Sequence, residues 1–423
     1  MEGWRNWSGS VTARPSEIAR PRTEAELQAL VARARKVRAV GAGHSFMPLC
    51  ETDGVLVCLE QMEGGLEIGT DRTSAVAPAG WSLERLTAEL WRHGLSLANQ
   101  GDVNPQALAG ALATGTHGTG QALGSLSTLA RRFRLVCADG EVRECSPAED
   151  SELFEAQRLS LGLLGVATRI EIQVMPAYWL EERIERRPLD WVWANFEALS
   201  AERRHAEFFV FPYADEAIVK TLHPTEAVGA QSGPGPEAVR REEAIFRTLL
   251  DLGRAVPPLI GPLQRILTRA AAASERTGPA HEIFPSVRSI PFEEMEYELP
   301  RGAGLAALRE AIRWIRRSRA PVAFPFEFRH VAADDIWLSP FNRGPGASIS
   351  MHQYARMDWR RVLADGEAIF RAAGGRPHWG KRHTLSRQDV DDLYPQAERF
   401  RRVRRRLDPA GKFLNAHLEA LFS

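Results

Sequence analysis

Residues 109–120 of this 423-residue chain read Ala-Gly-Ala-Leu-Ala-Thr-Gly-Thr-His-Gly-Thr-Gly. So many residues without bulk let the backbone come close to a flat ligand, although tight packing against another element would also explain them. A second loop upstream, Gly41-Ala-Gly-His-Ser-Phe46, follows a short apolar strand. Its glycines allow backbone N–H groups to turn inward as a nest for a pyrophosphate. Two such loops, each with a histidine, favour a bound ligand over plain turns.

The sequence around these loops predicts a mixed order of helices and short strands. The upstream loop is not the G-x-G-x-x-G fingerprint, because no such pattern opens a helix there. Asp139-Gly140 is a strong hairpin signal, and Gly101–Gly124 has no clear period. Periodicity predicts strands at Val37–Val40, Val55–Leu59, Ser74–Pro78 and Gly165–Met175, and helices at Thr23–Lys36, Ser82–His93 and Leu153–Leu161.

From about Tyr178 onward the chain is denser in charge and tryptophan. The basic run Arg399–Arg406 resembles a nucleic-acid patch, but Phe400, Val403 and Leu407 indicate a solvated helix with one apolar face. The patterns predict helices at Glu237–Ala255, Gly304–Arg319, Asp358–Ala373 and Pro395–Leu407, strands at Pro321–Val331 and Ala347–Tyr354, and a Gly/Pro-rich loop at Val228–Pro236.

Composition excludes several classes of protein. The 44% hydrophobic and 26% charged residues are typical of a folded globular chain of two domains. A formal net charge of zero gives no overall attraction to nucleic acid or to an anionic membrane. No secretory signal or membrane span is evident, so we expect a cytoplasmic protein. Its four cysteines, Cys50, Cys58, Cys137 and Cys145, are expected to be reduced thiols without a metal.

Three motifs together carry a family resemblance. Val40–Phe46, Ala113–Gly120 and Arg376-Pro-His-Trp-Gly-Lys381 resemble the flavin-binding and catalytic motifs of the aldonolactone oxidases. These enzymes belong to the vanillyl-alcohol-oxidase group, with gulonolactone, arabinonolactone and alditol oxidases as relatives. The resemblance implies an α+β, two-domain FAD-binding fold with an antiparallel-sheet cap domain. It places the FAD-binding domain at residues 1–177, the cap at 178–374 and a C-terminal segment that returns to the FAD domain at 375–423.

The same resemblance implies a covalent flavin. The family histidine at the position of His44 bonds to the 8α-methyl group of the isoalloxazine, although a histidine that merely lines the loop is the alternative. The residues that this resemblance assigns to FAD binding are Gly41, Ala42, Gly43, His44, Ser45, Phe46, Gly101, Asp102, Gly110, Ala113, Thr114, Gly115, Thr116, His117, Gly118, Gly165, Val166, His378 and Lys381.

Four residues are candidates for catalysis. Glu327 and Arg329 alternate on a predicted strand and share one face; a structural salt bridge is the alternative to the substrate-binding role that alditol oxidase implies. Lys381 is one of only four lysines in a chain rich in arginine. Its ammonium would stabilise negative charge near the flavin N1–C2 carbonyl, unless it is a solvated surface lysine. His352 either faces the same cavity or is a core histidine.

The implied reaction is oxidation of a sugar-derived alcohol, with an aldono-1,4-lactone such as gulono- or arabinono-lactone as substrate. Hydride would pass to flavin N5, and O2 would reoxidise the flavin and give H2O2. Gly101-Asp102 replaces the Ala-Ser of alditol oxidase, which disfavours an alditol substrate, and the glycine leaves room for O2. The alternatives are an alditol oxidase acting on xylitol or sorbitol, a dehydrogenase with a quinone or cytochrome acceptor, and a binding module. We expect a monomer that binds a small polyol or lactone and neither nucleic acid nor membrane.

Overall fold

The computed structural model describes residues 3–226, 236–286 and 289–423. The α-helices among the described residues of the first part are Glu24–Arg33 (α1), Leu83–Arg92 (α2), Leu108–Thr114 (α3) and Ser151–Gln157 (α4). The strands there are Trp4–Arg5 (β1), Thr12–Ala13 (β2), Glu17–Ala19 (β3), Val37–Val40 (β4), Val55–Cys58 (β5), Glu67–Ile68 (β6), Ser74–Pro78 (β7), Leu95–Ser96 (β8), Ala130–Val136 (β9), Val142–Cys145 (β10), Val166–Gln173 (β11) and Met175–Pro176 (β12).

Besides the two-stranded sheets β1-β2 and β12-β8, the described residues of this first part form two larger sheets. One is parallel, in the order β3-β5-β4, and the other has the order β10-β9-β11-β7-β6 with antiparallel neighbours. Strand β4 ends at Val40, so it delivers the glycine loop that starts at Gly41 to the edge of the parallel sheet. The predicted hairpin is confirmed: Gly140 has a φ of +85°, and a Cβ there would lie 2.9 Å from the Cβ of Ala32.

The second part of the chain forms one large antiparallel sheet with the strand order β16-β13-β15-β14-β18-β19-β17-β20. Its strands are Trp179–Pro188 (β13), His205–Val210 (β14), Glu216–Thr225 (β15), Ser274–Pro279 (β16), Phe292–Pro300 (β17), Phe326–Val331 (β18), Gly346–Tyr354 (β19) and Arg376–Pro377 (β20). The accompanying helices are Leu189–Glu202 (α5), Pro236–Ala255 (α6), Ile260–Ala270 (α7), Ala280–Ile283 (α8), Arg301–Ser318 (α9) and Arg360–Ala372 (α10).

The two faces of this sheet differ in chemistry because side chains alternate along each strand. On β17, Met295, Tyr297 and Leu299 join an apolar core that also contains residues of α5, α9 and α10. The intervening Glu294 and Glu296 point to the opposite face and line a cavity. The sheet is therefore a wall that is covered by helices on one side and carries charged groups on the other.

The end of the chain packs against the first part. Helices Arg387–Leu393 (α11), Ala397–Leu407 (α12) and Ala416–Phe422 (α13) follow β20. Phe400, Val403 and Leu407 are buried in the core that holds Phe133 and Leu135 of β9. The amphipathic interpretation of the basic run is thus confirmed, and its apolar face packs inside the molecule.

The structure departs from the sequence expectations at several points. Helix α3 lies within the stretch that lacked a clear period. The helix predicted for Leu153–Leu161 ends at Gln157, and Leu161 has a left-handed φ of 53°. The loop predicted at Val228–Pro236 lies outside the described residues except for Pro236.

All four cysteines are free thiols, as expected from the sequence. In the described ranges, no helix is both long and apolar enough to cross a lipid bilayer.

Candidate active site

A cavity lies between the glycine-rich loops of the first part and the charged face of the large sheet. All four catalytic candidates line it: Glu327, Arg329, His352 and Lys381. The predicted FAD-binding residues that also line it are Gly41, Ala42, Gly43, His44, Ser45, Phe46, Gly101, Asp102, Gly110, Ala113, Thr114, Thr116, His117, Gly165, Val166, His378 and Lys381.

The loop after β4 lines this cavity. Gly43 has a φ of +69°, a conformation that side chains rarely adopt. Neighbouring segments hold the loop: Trp7 donates its amide to the Gly43 carbonyl at 2.9 Å, and Phe46 donates to Gly380 at 2.7 Å. In the described part of the chain, the amide N–H groups of residues 42–45 have no protein acceptor. Successive unpaired amides in a loop that lines a cavity fit a phosphate group.

Two predicted glycines act through packing, since Gly115 and Gly118 do not line the cavity. Gly115 ends α3 in the left-handed conformation, with a φ of 76°. A Cβ on Gly118 would lie 2.0 Å from the carbonyl oxygen of Gln100, a backbone overlap that no rotamer relieves. Both residues shape the second loop from outside the cavity lining, and their part in FAD binding stays a prediction.

Gly110 differs from these two glycines in that it lines the cavity. It lies on α3, and a Cβ there would meet no heavy atom within 4 Å. A larger side chain would therefore project into the cavity without disturbing the protein. We expect Gly110→Leu to fold normally but to lose most of its bound FAD, measured by the ratio of flavin to protein absorbance after reconstitution. Gly302→Leu is the matched control, since that helical glycine also meets nothing within 4 Å. Equal flavin content in both variants would contradict the assignment of this wall to FAD.

His44 lies at the edge of the nest in a neutral form. Its ring stacks on Trp7 with centroids 5.4 Å apart. Burial, reinforced by the nearby charge of Lys381, lowers the pKa of His44 to about 4. The imidazole is therefore uncharged at neutral pH and keeps the nitrogen lone pair that a nucleophile needs.

Lys381 belongs to a buried ion network. Its ammonium pairs with Glu294, and the other oxygen of that carboxylate lies 3.4 Å from Nε2 of His352. Burial alone would raise the pKa of Glu294, but Lys381 and His352 hold it well below the usual value. The Lys381 side chain is 21% exposed, so it is not a solvated surface lysine. His352 donates from Nδ1 to the Pro325 carbonyl at 3.0 Å, which fixes its ring at the cavity wall.

Glu327 and Arg329 share one face of β18, as the alternation predicts. Arg329 Nε lies 3.4 Å from Glu327 Oε1, and its Nη2 lies 2.5 Å from Glu296 Oε2. Burial would lower the pKa of Arg329, but Glu327 and Glu296 raise it well above the usual value. The pair is thus a salt bridge and also a part of the cavity wall.

The carboxylates of β17 were not identified from the sequence. Glu294, Glu296 and Glu298 occupy alternate positions of one strand. Alternation of acidic and apolar residues in Phe292–Pro300 was the available signal, because a period of two predicts one charged face. Without the partner strands, however, nothing distinguishes that face from a solvated one.

His117 is charged. Its Nδ1 donates to the Gly118 carbonyl at 2.9 Å, and its Nε2 lies 3.1 Å from both Glu296 Oε1 and Glu298 Oε1. Burial lowers the pKa of His117, but Glu298 and Glu296 more than reverse this and raise it to about 9. The histidine of the second loop therefore links that loop to β17 as an imidazolium.

This raised pKa predicts a pH dependence of stability. The contribution of charged His117 is complete below the unfolded pKa of 6.5 and is lost as the pH rises through about 9. We expect the wild type to have a higher free energy of unfolding than His117→Gln near pH 6. This excess should be roughly 3 kcal/mol larger near pH 6 than near pH 10. Urea denaturation of both proteins across this range measures it. A difference that does not change with pH would show that His117 is neutral in the folded state.

The turn around Gly380, in the motif Arg376–Lys381, positions Lys381. His378 accepts a hydrogen bond from the Gly380 amide at 3.0 Å through Nδ1, and burial lowers its pKa to about 3. Trp379 is fully buried and donates to the Leu338 carbonyl at 2.7 Å. A neutral histidine and an anchored indole thus hold the backbone on both sides of Gly380.

Comparison with known proteins gives two family matches. Residues 15–146 match the FAD binding domain, and residues 170–421 match the D-arabinono-1,4-lactone oxidase family. The chain is 38% identical to the L-gulono-1,4-lactone dehydrogenase of Mycobacterium tuberculosis, over 97% of both chains. It is 29% identical to the L-gulonolactone oxidase of Bos taurus, over 99% of this chain and 98% of the relative. It is 31% identical to the alditol oxidase of a Streptomyces species, over 98% of both chains.

A solved structure shows the same fold at low sequence identity. The cholesterol oxidase from B. sterolicum superposes with a TM-score of 0.81, over 100% of this chain and 96% of that one, at 17% identity. That likeness supports the fold alone. It agrees with the α+β, two-domain FAD-binding fold of the vanillyl-alcohol-oxidase type that the motifs imply.

Proposed function

Because this chain belongs to the D-arabinono-1,4-lactone oxidase family, as an FAD-dependent oxidoreductase, we propose that it oxidises an aldono-1,4-lactone, of the gulono- or arabinono- type, at a carbinol carbon. The observation that carries this proposal is the composition of one cavity. An unpaired amide nest and His44 form one side, and the Glu327–Arg329 and Glu294–Lys381 pairs form the other.

FAD would be held by the first part of the chain. The amides of residues 42–45 would bind the pyrophosphate, and the open position at Gly110 leaves room beside α3. We propose that the ring is bonded to His44, since burial keeps this imidazole neutral and nucleophilic. When bound, the isoalloxazine supplies the acceptor for the hydride that leaves the carbinol carbon.

The charged wall suits a polyhydroxylated substrate. Arg329 and Glu327 offer a donor and an acceptor at buried positions, so they would bind neighbouring hydroxyl or lactone oxygens and fix which carbon reacts. Lys381 would stabilise the negative charge that the flavin acquires when it accepts the hydride. His352 would hold Glu294, and hence the Lys381 ammonium, in place.

We propose that residues 1–177, 178–374 and 375–423 act respectively as FAD domain, cap and returning segment. Strands β17, β18 and β19, which line the cavity, lie in the second of these ranges, and Lys381 lies in the third. O2 is the proposed acceptor, in line with the oxidases among the relatives. The relative at 38% identity, however, is named a dehydrogenase, which supports a second candidate with a different electron acceptor.

Anaerobic stopped-flow reduction tests substrate and acceptor separately. L-gulono-1,4-lactone or D-arabinono-1,4-lactone is expected to bleach the flavin absorbance, and xylitol to bleach it much more slowly. Air is then expected to restore the oxidised spectrum with one H2O2 per turnover. Fast bleaching by xylitol alone would establish an alditol oxidase. Slow recovery in air with fast recovery by a quinone or a cytochrome would establish a dehydrogenase.

A further inference from the structure

Lys220 is a buried lysine that the proposed reaction does not use. It lies on β15, is 8% exposed and does not line the cavity. Its Nζ lies 2.9 Å from Glu207 Oε1 and 3.8 Å from both Asp102 Oδ1 and Glu182 Oε2. Glu182 is also bound by Arg276, with Nη2 3.0 Å from Oε2. Lys220 is therefore mainly the counterion of Glu207 and Asp102, the two carboxylates nearer the cavity.

Those two carboxylates form a cluster with Glu327. Asp102, Glu207 and Glu327 each offer an oxygen within 4.8 Å of the others. The strand register accounts for this proximity, since Glu207 on β14 pairs with Lys220 on one side and with Arg329 on the other. Three carboxyl groups thus lie close together, with Lys220 and Arg329 beside them. Such a group of like charges readily takes up one proton.

Within the cluster, Glu207 is the group best suited to hold that proton. It is 2% exposed, and the groups that face it are Lys220, Asp102, Glu327 and Arg329. Burial, together with Asp102 and Glu327, raises the pKa of Glu207 to about 7, although Lys220 acts against this. Glu207 can therefore gain or lose a proton near neutral pH.

Glu327 connects this cluster to the cavity. It is 3% exposed and lines the cavity, and its Oε1 accepts no hydrogen bond within the described part of the chain. A carboxylate oxygen that accepts no hydrogen bond, and that lies 3.4 Å from the Arg329 Nε, can accept a substrate hydroxyl proton.

We propose that Glu327 takes the hydroxyl proton of the substrate and passes it to Glu207, with Lys220 setting how readily Glu207 accepts it. The inference rests on the proposed function. The O–H bond of the substrate breaks as an O–H bond forms on Glu327, and the C–H electron pair leaves as the hydride that the bound FAD accepts, which produces the carbonyl. Transfer of the proton to Glu207 restores the Glu327 carboxylate beside Arg329. With O2 as acceptor, the hydride and this proton together account for the two hydrogens of H2O2.

Glu207 is a positioning residue in this scheme, because it acts through Glu327. The rate of flavin reduction by the lactone is expected to rise with pH through about 7 in the wild type, as Glu207 ionises. Glu207→Gln should lower that rate by on the order of 10–100-fold above neutral pH and abolish the rise. Glu207→Asp keeps a carboxyl group and should restore most of the rate. Lys220→Met should move the rise to higher pH, and Lys220→Arg should leave it near its original position.

A measurement without substrate separates this inference from the proposed function. Infrared difference spectra of the FAD-loaded protein, titrated through neutral pH, should show the loss of a protonated carboxyl band. Glu207→Gln should lack this change. If the band persists in Glu207→Gln, or if that variant reduces its flavin with unaltered rate and pH profile, the proton-holding role is wrong even though the lactone is a substrate. If no lactone or polyol reduces the wild type, the proposed function fails while the infrared result still reports on Glu207.

Discussion

Replacing His44 with alanine is expected to move all of the flavin from the protein pellet to the supernatant after precipitation with trichloroacetic acid. In the wild type, the yellow, fluorescent flavin should stay in the pellet, because a covalent bond survives denaturation. The physical basis is the neutral, cavity-facing imidazole of His44, whose pKa burial lowers to about 4. The neutral His44 ring has a free nitrogen lone pair, and it lines the cavity beside the amide nest.

His352→Asn is the control for this experiment. His352 also lines the cavity, but its Nδ1 donates to Pro325 and its Nε2 faces Glu294, so neither nitrogen is free to attack the flavin. This variant should keep its flavin in the pellet. Wild-type protein that releases its flavin into the acid supernatant would refute the covalent link, and the amide nest would then bind FAD without a bond.

Replacing Lys381 with methionine should lower kcat for the lactone by on the order of 10²–10³-fold, the usual loss when one donor to a developing negative charge is removed. KM should change far less, since the ammonium acts on the transition state more than on the bound substrate. Steady-state kinetics at saturating O2 would measure both constants, with the flavin content of each preparation used to normalise kcat.

The single substitution also leaves Glu294 without its main cation, so a second variant is needed to interpret the result. Lys381→Met combined with Glu294→Gln removes both charges of the buried pair and avoids an uncompensated carboxylate. If the loss of kcat persists in this double variant, the missing ammonium is the cause. Recovery of the wild-type kcat in the double variant would show instead that Lys381 only neutralises Glu294.

Much of the first part of the fold follows from local sequence. Thr23 accepts a hydrogen bond from the Glu26 amide and forms a capping box at the start of α1, and the Ser82 side chain caps α2 by accepting from the Arg85 amide. Helix α3 escaped prediction because it is only seven residues long, so its apolar positions Leu108, Ala111 and Leu112 do not stand out among small residues. Its position is set by packing and by the left-handed Gly115.

The site was only partly accessible from the sequence. The glycine loops and the Glu-x-Arg strand could be identified because each signal is contained in a few consecutive residues. The charge of His117 depends on Glu296 and Glu298, which lie on a strand far away in the chain. The cluster around Lys220 likewise depends on the pairing of β14 with β15 and β18. Such contacts follow from sheet register, which no single stretch of sequence encodes.

The hydrogen bond from the Phe46 amide to the Gly380 carbonyl has a consequence for biosynthesis. The first glycine loop is synthesised well before Gly380, yet its final shape depends on that later motif. A nascent chain without residues 376–423 should therefore be unable to capture the cofactor, even with its N-terminal sheets formed. Flavin incorporation would follow synthesis of this last motif.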